Sequence, residues 1–255
     1  MPATQLTLIQ IDNYGPWTVN PAPRREADLQ TMQSRLYADL SQFIGHRGGY
    51  VFFTRFDNMI AVTNGLSLAD HERLQTSIRN RYPVTISLAI AAADSPVDAL
   101  AAASESLQAA GSAQDATRRE ILRGDPLDDE GAVQLAHFDV VDATERFTDR
   151  LNAFDSFVHI EDGYATLMAY LRRAHEGLAF FVGGDNIIAV CPHLDGEAFE
   201  DVIDHVEAAT EVELKVGVGH GATAEAAGMD AKRALEVCRE QDSRVEGVAT
   251  VATDD

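Results

Sequence analysis

The sequence predicts an α+β protein built as a tandem duplication of one split-βαβ, ferredoxin-like domain, each copy with an antiparallel sheet. Three observations lead there. A stretch of the first half recurs in the second at a fixed offset, and both halves run in the order β-α-β-β-α-β(-α). The chain, 255 residues long and 45% hydrophobic, is also large enough for two ordinary cores.

The repeat is direct. Phe52 to Val62 reads FFTRFDNMIAV, and Phe180 to Val190, 128 residues on, reads FFVGGDNIIAV. The same offset carries Val84–Ile90 onto Val212–Val218. An offset of 127 lays Leu8–Asp12 on Leu135–Asp139. The seam falls between Arg123 and Gly131, giving an N-terminal domain 1–126 and a C-terminal domain 127–255.

Each half opens with an apolar strand ending in an aspartate, Asp12 or Asp139. Leu29, Met32, Leu36, Leu40 and Phe43 then form a helical stripe. Two strands around a short turn follow, Tyr50–Phe53 with Met59–Val62 and Leu178–Val182 with Ile187–Val190. Phe199, Val202, Ile203 and Val206 mark the next helix at i, i+3, i+4 and i+7. A further strand and an alanine-rich helix, Val97–Ala110 or Ala224–Val237, close each half. Two helices are expected on one sheet face, with the other face free for a partner half.

Charge narrows the partners. Forty-one acidic residues against 20 basic ones give a formal net charge of −21, and Lys215 and Lys232 are the only lysines. Such a chain repels nucleic acid and anionic membranes and suits a medium where salt screens self-repulsion. Two cysteines 47 residues apart, Cys191 and Cys238, make no disulfide framework. Without a leader pattern or a long apolar run, the expectation is a cytoplasmic protein with no nucleic-acid or membrane partner.

The chemistry gathers at the hairpins. Gly183 and Gly184 lie in a tight turn where backbone can approach a ligand, and Asp185 projects from it. Asp139, at the end of the neighbouring strand, is expected to face Asp185, and two carboxylates there suit Mg²⁺. Asp142 is the further metal candidate. His137 shares strand parity with Asp139 and is the candidate acid or base. Asn186 completes the hairpin. Asp12, Asn13, Asp57 and Asn58 repeat the pattern in the first half, with Arg55 and Phe56 replacing the glycines. Arg24, Arg25, Arg79 and Arg81 are candidate phosphate clamps, and Tyr14, Trp17 and Phe56 candidate stacking rings. The Gly217–Ala222 stretch only loosely matches a dinucleotide loop, no Walker motif is present, and no zinc constellation is evident.

These motifs carry a resemblance. The glycine-glycine-acid hairpin Phe181–Asn186, paired with a strand-one aspartate, resembles the palm-type nucleotidyl cyclase and GGDEF superfamily. More narrowly, Gln10–Thr18 (QIDNYGPWT), Thr54–Asn58, Arg79–Pro83, Gly111–Asp115 and Gly183–Asn186 are similar to the archaeal GTP cyclohydrolase III family, over nearly the whole chain. The resemblance implies GTP as substrate, opening of its imidazole ring with the formyl carbon retained, and release of two phosphates for flavin or deazaflavin synthesis. It also implies Mg²⁺, a monovalent cation in addition, and a homo-oligomer, dimer or tetramer. The rivals are a nucleotidyl cyclase, which leaves the purine intact, and a nucleotide-binding regulator without catalysis.

Overall fold

The computed structural model describes residues 3–127 and 131–248. The expected seam at 126/127 adjoins residues 128–130, and the acidic tail runs past 248; both stretches lie outside the described residues. Two compact units emerge, one running up to Ala132 with Ala222–Glu225, the other Val133–Gly221 with the chain from Ala226 on.

Unit 1 contains β1 (Thr4–Ile11), α1 (Tyr14–Val19), α2 (Glu26–Gly45), β2 (Tyr50–Phe53), β3 (Asn58–Val62), α3 (Leu68–Arg81), β4 (Ile86–Ala93), α4 (Pro96–Ala109) and β5 (Leu122–Arg123). Unit 2 contains β6 (Val133–Val140), a π-helical turn (Thr144–Thr148), α5 (Ala153–Ala174), β7 (Leu178–Gly183), β8 (Asn186–Cys191), α6 (Gly196–Thr210), β9 (Leu214–Gly221), α7 (Ala224–Gln241) and β10 (Val245–Glu246). The sheets are ordered β2-β3-β1-β4-β5 and β7-β8-β6-β9-β10, one topology twice. They are mixed rather than antiparallel throughout, because the short β5 and β10 run parallel to β4 and β9.

Local chemistry explains the elements. Ser67 and Asp70 form a reciprocal capping box at the start of α3, and Asp195 caps α6 by accepting from the Ala198 amide. Phe199, Val202, Ile203 and Val206 are fully buried along α6, as their spacing predicts. On α2 the fully buried line is Leu36, Leu40 and Ile44, with Met32 and Phe43 packed at its edge. The first-half core lies between β1, β3, β4 and helices α2 and α3; its counterpart lies between β6, β8, β9 and helices α5 and α6.

Two expectations are corrected here. The second sheet face is not free: α4 lies over β1 and β4, and α7 lies over β9. A Cβ on Gly217 would meet Ala231 O at 2.2 Å, and one on Gly219 would meet Ala231 N at 2.1 Å. These glycines therefore seat a helix against a strand. The second correction concerns strand one. Gln10 pairs with Asn58 and Ser87, whereas Asp139 pairs with Asn186 and Lys215. The counterpart of Asp139 is thus Gln10, the true offset in this strand is 129, and Asp12 corresponds to Val141. A two-residue slip keeps every side chain on its own face, so alternation could not expose it. Gln5 and Gln134 confirm the register, because their side-chain amides donate to the carbonyls of Thr63 and Leu194 at the same end of each sheet.

Candidate active site

In unit 2 the hairpin holds the site. Gly183 and Gly184 take φ of 118° and 66°, a conformation that favours glycine, and the β7–β8 ladder shifts register there. The built Cβ of Gly183 meets nothing within 4 Å, so the turn leaves open space for a ligand. The turn places Asp185 beside Asn186, whose Nδ2 donates to Asp185 Oδ1 at 3.0 Å. Asn186 Oδ1 lies 2.9 Å from His137 Nε2, so the histidine proton sits on Nε2. Burial first, with Lys232 and Arg239 adding to it, pulls the His137 imidazole below its ordinary range; the Asn186 bond and Asp139 oppose. His137 is therefore neutral at neutral pH.

Asp139 and Asp185 feel one another. Burial, then the charge of Asp139, pushes the Asp185 carboxyl above its ordinary range. Arg239, reaching from α7, sits 2.8 Å from Asp139 Oδ2 and is also held by Glu236 at 2.6 Å. With its side chain 43% exposed, Arg239 is a counterion that a ligand can displace at small cost. The donor set fits a hard divalent cation: two carboxylates that repel one another, beside a turn open to phosphate oxygens.

Asp142 does not join them. It is exposed, with left-handed backbone, and its carbonyl accepts from the Arg146 amide. Among the described residues no three His, Cys, Asp or Glu side chains converge on a metal position.

Unit 1 keeps the hairpin shape with other chemistry. Phe56 occupies the place of Gly184 at φ 61° and stacks on Phe53 at 4.8 Å. Arg55 pairs with Asp57 Oδ2 at 2.8 Å. Asp12 does not turn toward Asp57. Its carboxylate accepts from Thr85, Ser87 and the Glu120 amide, and Arg118 lies 3.6 Å away with both side chains almost wholly buried. Asn13 Oδ1 and Asp57 Oδ1 are buried oxygens with no donor among the described residues, which also fits a cation. Asn58 accepts from Gln10 Nε2 at 3.0 Å.

The arginine and aromatic candidates disperse. Arg25, Arg79 and Arg81 pair with Asp28, Glu120 and Asp39, and Arg24 lies over the Trp17 ring at 3.9 Å. Tyr14 stacks on Trp17, and Phe56 on Phe53. The sequence reading missed Lys232, Arg239 and Arg118. For the first two a signal existed: a lysine in a chain with only two, seven residues before an arginine, falls on one helix face.

The fold and this hairpin define a duplicated palm-type α+β protein with an acidic pair beside a glycine turn. Residues 5–254 match the family model described as GTP cyclohydrolase III. The chain belongs to that family. It is 64% identical to GTP cyclohydrolase III 1 of Halobacterium salinarum, over 96% of this chain and 98% of that protein. It is 63% identical to the GTP cyclohydrolase III of Natronomonas pharaonis, over 96% and 99%. The GTP cyclohydrolase III of Methanocaldococcus jannaschii is 48% identical over 92% and 88%. A solved GGDEF domain from Pseudomonas aeruginosa is 17% identical, covering 46% of this chain and 84% of that one, with a TM-score of 0.39. No described helix is long and apolar enough to cross a membrane.

Proposed function

We propose that this chain is a magnesium-dependent GTP cyclohydrolase. It hydrolyses the imidazole ring of GTP, retains the formyl carbon and releases two phosphates. The product is 2-amino-5-formylamino-6-ribosylaminopyrimidin-4(3H)-one 5'-monophosphate, which feeds flavin or deazaflavin synthesis. The family membership supports the substrate. The observation that carries the site is the mutually repelling pair Asp139 and Asp185 at an open glycine turn.

Asp139 and Asp185 would hold Mg²⁺, which when bound neutralises charge on the phosphates. Gly183 and Gly184 let phosphate oxygens approach the backbone. Lys232 and Arg239 contribute positive charge on the same face. Neutral His137 keeps its Nε2 proton toward Asn186, and its Nδ1 lone pair would accept a proton as general base and return it from the imidazolium as general acid. A second reading would put the cation, divalent or monovalent, in unit 1, and what supports it is the two buried oxygens of Asn13 and Asp57 that have no donor among the described residues. A homo-oligomer, dimer or tetramer, in the cytoplasm belongs to the same proposal.

The test is incubation with GTP and Mg²⁺ at high salt, following phosphate and the purine ultraviolet band together. Orthophosphate with conversion to a pyrimidine spectrum is the expected result. Pyrophosphate with an intact purine marks a cyclase, and no change overturns the enzymatic reading in favour of a binding protein. Asp185→Asn is expected to lower turnover roughly 10²–10³-fold, the scale for losing one electrostatic stabiliser. If Asp57→Asn does so and Asp185→Asn does not, the working cation lies in unit 1.

A further inference from the structure

Helix α5 has two unlike faces. Ser156, Gly163, Leu167 and Leu171 are buried on the side that meets β7 and α6. The other side leaves Phe154 70% exposed, with Phe157, Val158 and Met168 exposed beside it. These are four of the eight large apolar side chains exposed among the described residues, and the other four lie on four separate elements. Exposed apolar groups scattered singly are ordinary, but four on one helix face form a patch.

The fold does not require it. Leu40 and Ile44 of α2 stand where α5 has Leu167 and Leu171, and Gly49 lies against Ile44 as Gly177 does against Leu171. Unit 1 therefore has Ala27, Gln30, Thr31 and Ser41 where unit 2 has Phe154, Phe157, Val158 and Met168. One copy of the helix turns small or polar groups to water, and the other turns apolar ones.

The patch is complementary to itself. Phe154, Val158, Glu161, Ala165, Met168 and Arg172 recur at intervals of four, three, four, three and four, the spacing of a coiled-coil seam. Turned end for end about Gly163, this seam lays Phe154 on the partner's Arg172, Val158 on the partner's Met168 and Glu161 beside the partner's Ala165. Charge has the same polarity: Asp155 and Asp162 lie in the first half of α5, and Arg172 and Arg173 in its last turn. Antiparallel docking brings the arginines of one copy to the acidic end of the other and opposes the two helix dipoles. A convex helix face suits another helix better than a small ligand, which needs a concave site.

We infer that the outer face of α5 docks a second copy of this chain, α5 against α5, antiparallel about a two-fold axis. This rests on the homo-oligomer of the proposed function, gives it a face, and holds whether or not the chain turns GTP over. Each copy carries a net charge of −21, so molar salt, which screens the repulsion between them, favours the pair.

The test is the mass of the full chain by sedimentation at molar salt over a range of concentrations, with Val158→Glu and Met168→Lys as variants. Both positions are exposed, and native circular dichroism checks that the fold is kept. The expected result is an oligomer that each variant weakens roughly tenfold or more, because each sets an unpaired charge against an apolar group. Mixing the two variants is expected to restore association, since the introduced carboxylate of one then faces the introduced ammonium of the other. A monomeric parent chain overturns the oligomer and this face together. An oligomer whose mass neither variant changes overturns this face alone. Weakening in both variants without recovery on mixing overturns the antiparallel pairing.

Discussion

The two units share one topology and invert its chemistry. Unit 1 puts polar groups inside: Thr7, Thr63 and His71 are buried and hydrogen-bonded to one another or to backbone, and Asp12 is buried against Arg118. A cleft of this unit between α4 and strands β1 and β3 has no charged side chain lining it among the described residues. In unit 2 the corresponding interior is Ala136, Cys191 and Phe199, all at or below 1% exposure, while His137, Asp139, Lys232 and Arg239 bring the charge to the face under α7. A duplicated fold constrains backbone and the pattern of apolar faces. It leaves each copy free to choose where its ionisable groups sit.

The largest expected contrast lies in the two arginine–aspartate pairs. Asp12 and Arg118 have side chains 1% and 4% exposed, so removing one partner strands the other away from water. Arg118→Ala is expected to cost about 3–5 kcal/mol by denaturant unfolding, the range for breaking a buried pair. Arg239→Ala removes the counterion of Asp139 from a partly exposed position and is expected to cost below about 1 kcal/mol. Comparable losses from both would mean that unit 2 buries its charge as unit 1 does.

A middle-sized contrast concerns the helix seats. Unit 2 uses Gly217 and Gly219 where unit 1 has Ala89 and Ala91. With backbone of α7 2.1 Å from the built Cβ, Gly219→Ala forces the helix outward and is expected to cost about 1–3 kcal/mol, the scale of overpacking. Ala91→Gly leaves α4 in place and should cost less, about 0.5–1 kcal/mol for added backbone freedom. If Gly219→Ala is neutral, α7 yields readily, and the approach of Lys232 and Arg239 to the site is correspondingly loose.

Much of this was legible from residues alone. The tandem repeat, the strand order and the Phe199–Val206 stripe follow from periodicity, which reports directly on burial. The Asp139–Asp185 pairing was legible because adjacent strands bring their ends together. The equivalence of Asp12 with Asp139 was not, since a slip of two residues preserves parity and both positions carry aspartate. Asp142 lies past the end of its strand at Val140, on a left-handed residue, a placement that strand parity alone does not anticipate. Lys232 and Arg239 carried a signal, one helix face seven residues apart, but their approach to Asp139 depends on a helix docking on the face expected to be free.

The smallest expected contrast is in pH dependence, and it follows from His71 in the place of Phe199. His71 Nδ1 lies 2.8 Å from the Ser67 carbonyl, so it carries the proton, and Nε2 accepts from the Thr7 hydroxyl at 2.8 Å. Burial pulls its imidazole below the ordinary value of 6.5, against the Ser67 bond and the charge of Asp70. Above pH 6.5 neither the folded nor the unfolded chain protonates this group, and it adds no slope. As pH falls below 6.5 the unfolded chain takes the proton first, so stability is lost until pH passes the lower folded value. The slope from one proton cannot exceed about 1.4 kcal/mol per pH unit. His71→Phe, which copies unit 2, should flatten the difference in unfolding midpoint between pH 7.5 and pH 5 while leaving other groups to titrate as before. Because burial rather than surface charge sets the shift, the difference should persist at about 1 M salt, where the screening length is near 3 Å. If His71→Phe leaves the slope unchanged, the imidazole is protonated inside the fold, and the polar interior of unit 1 carries a charge that unit 2 lacks.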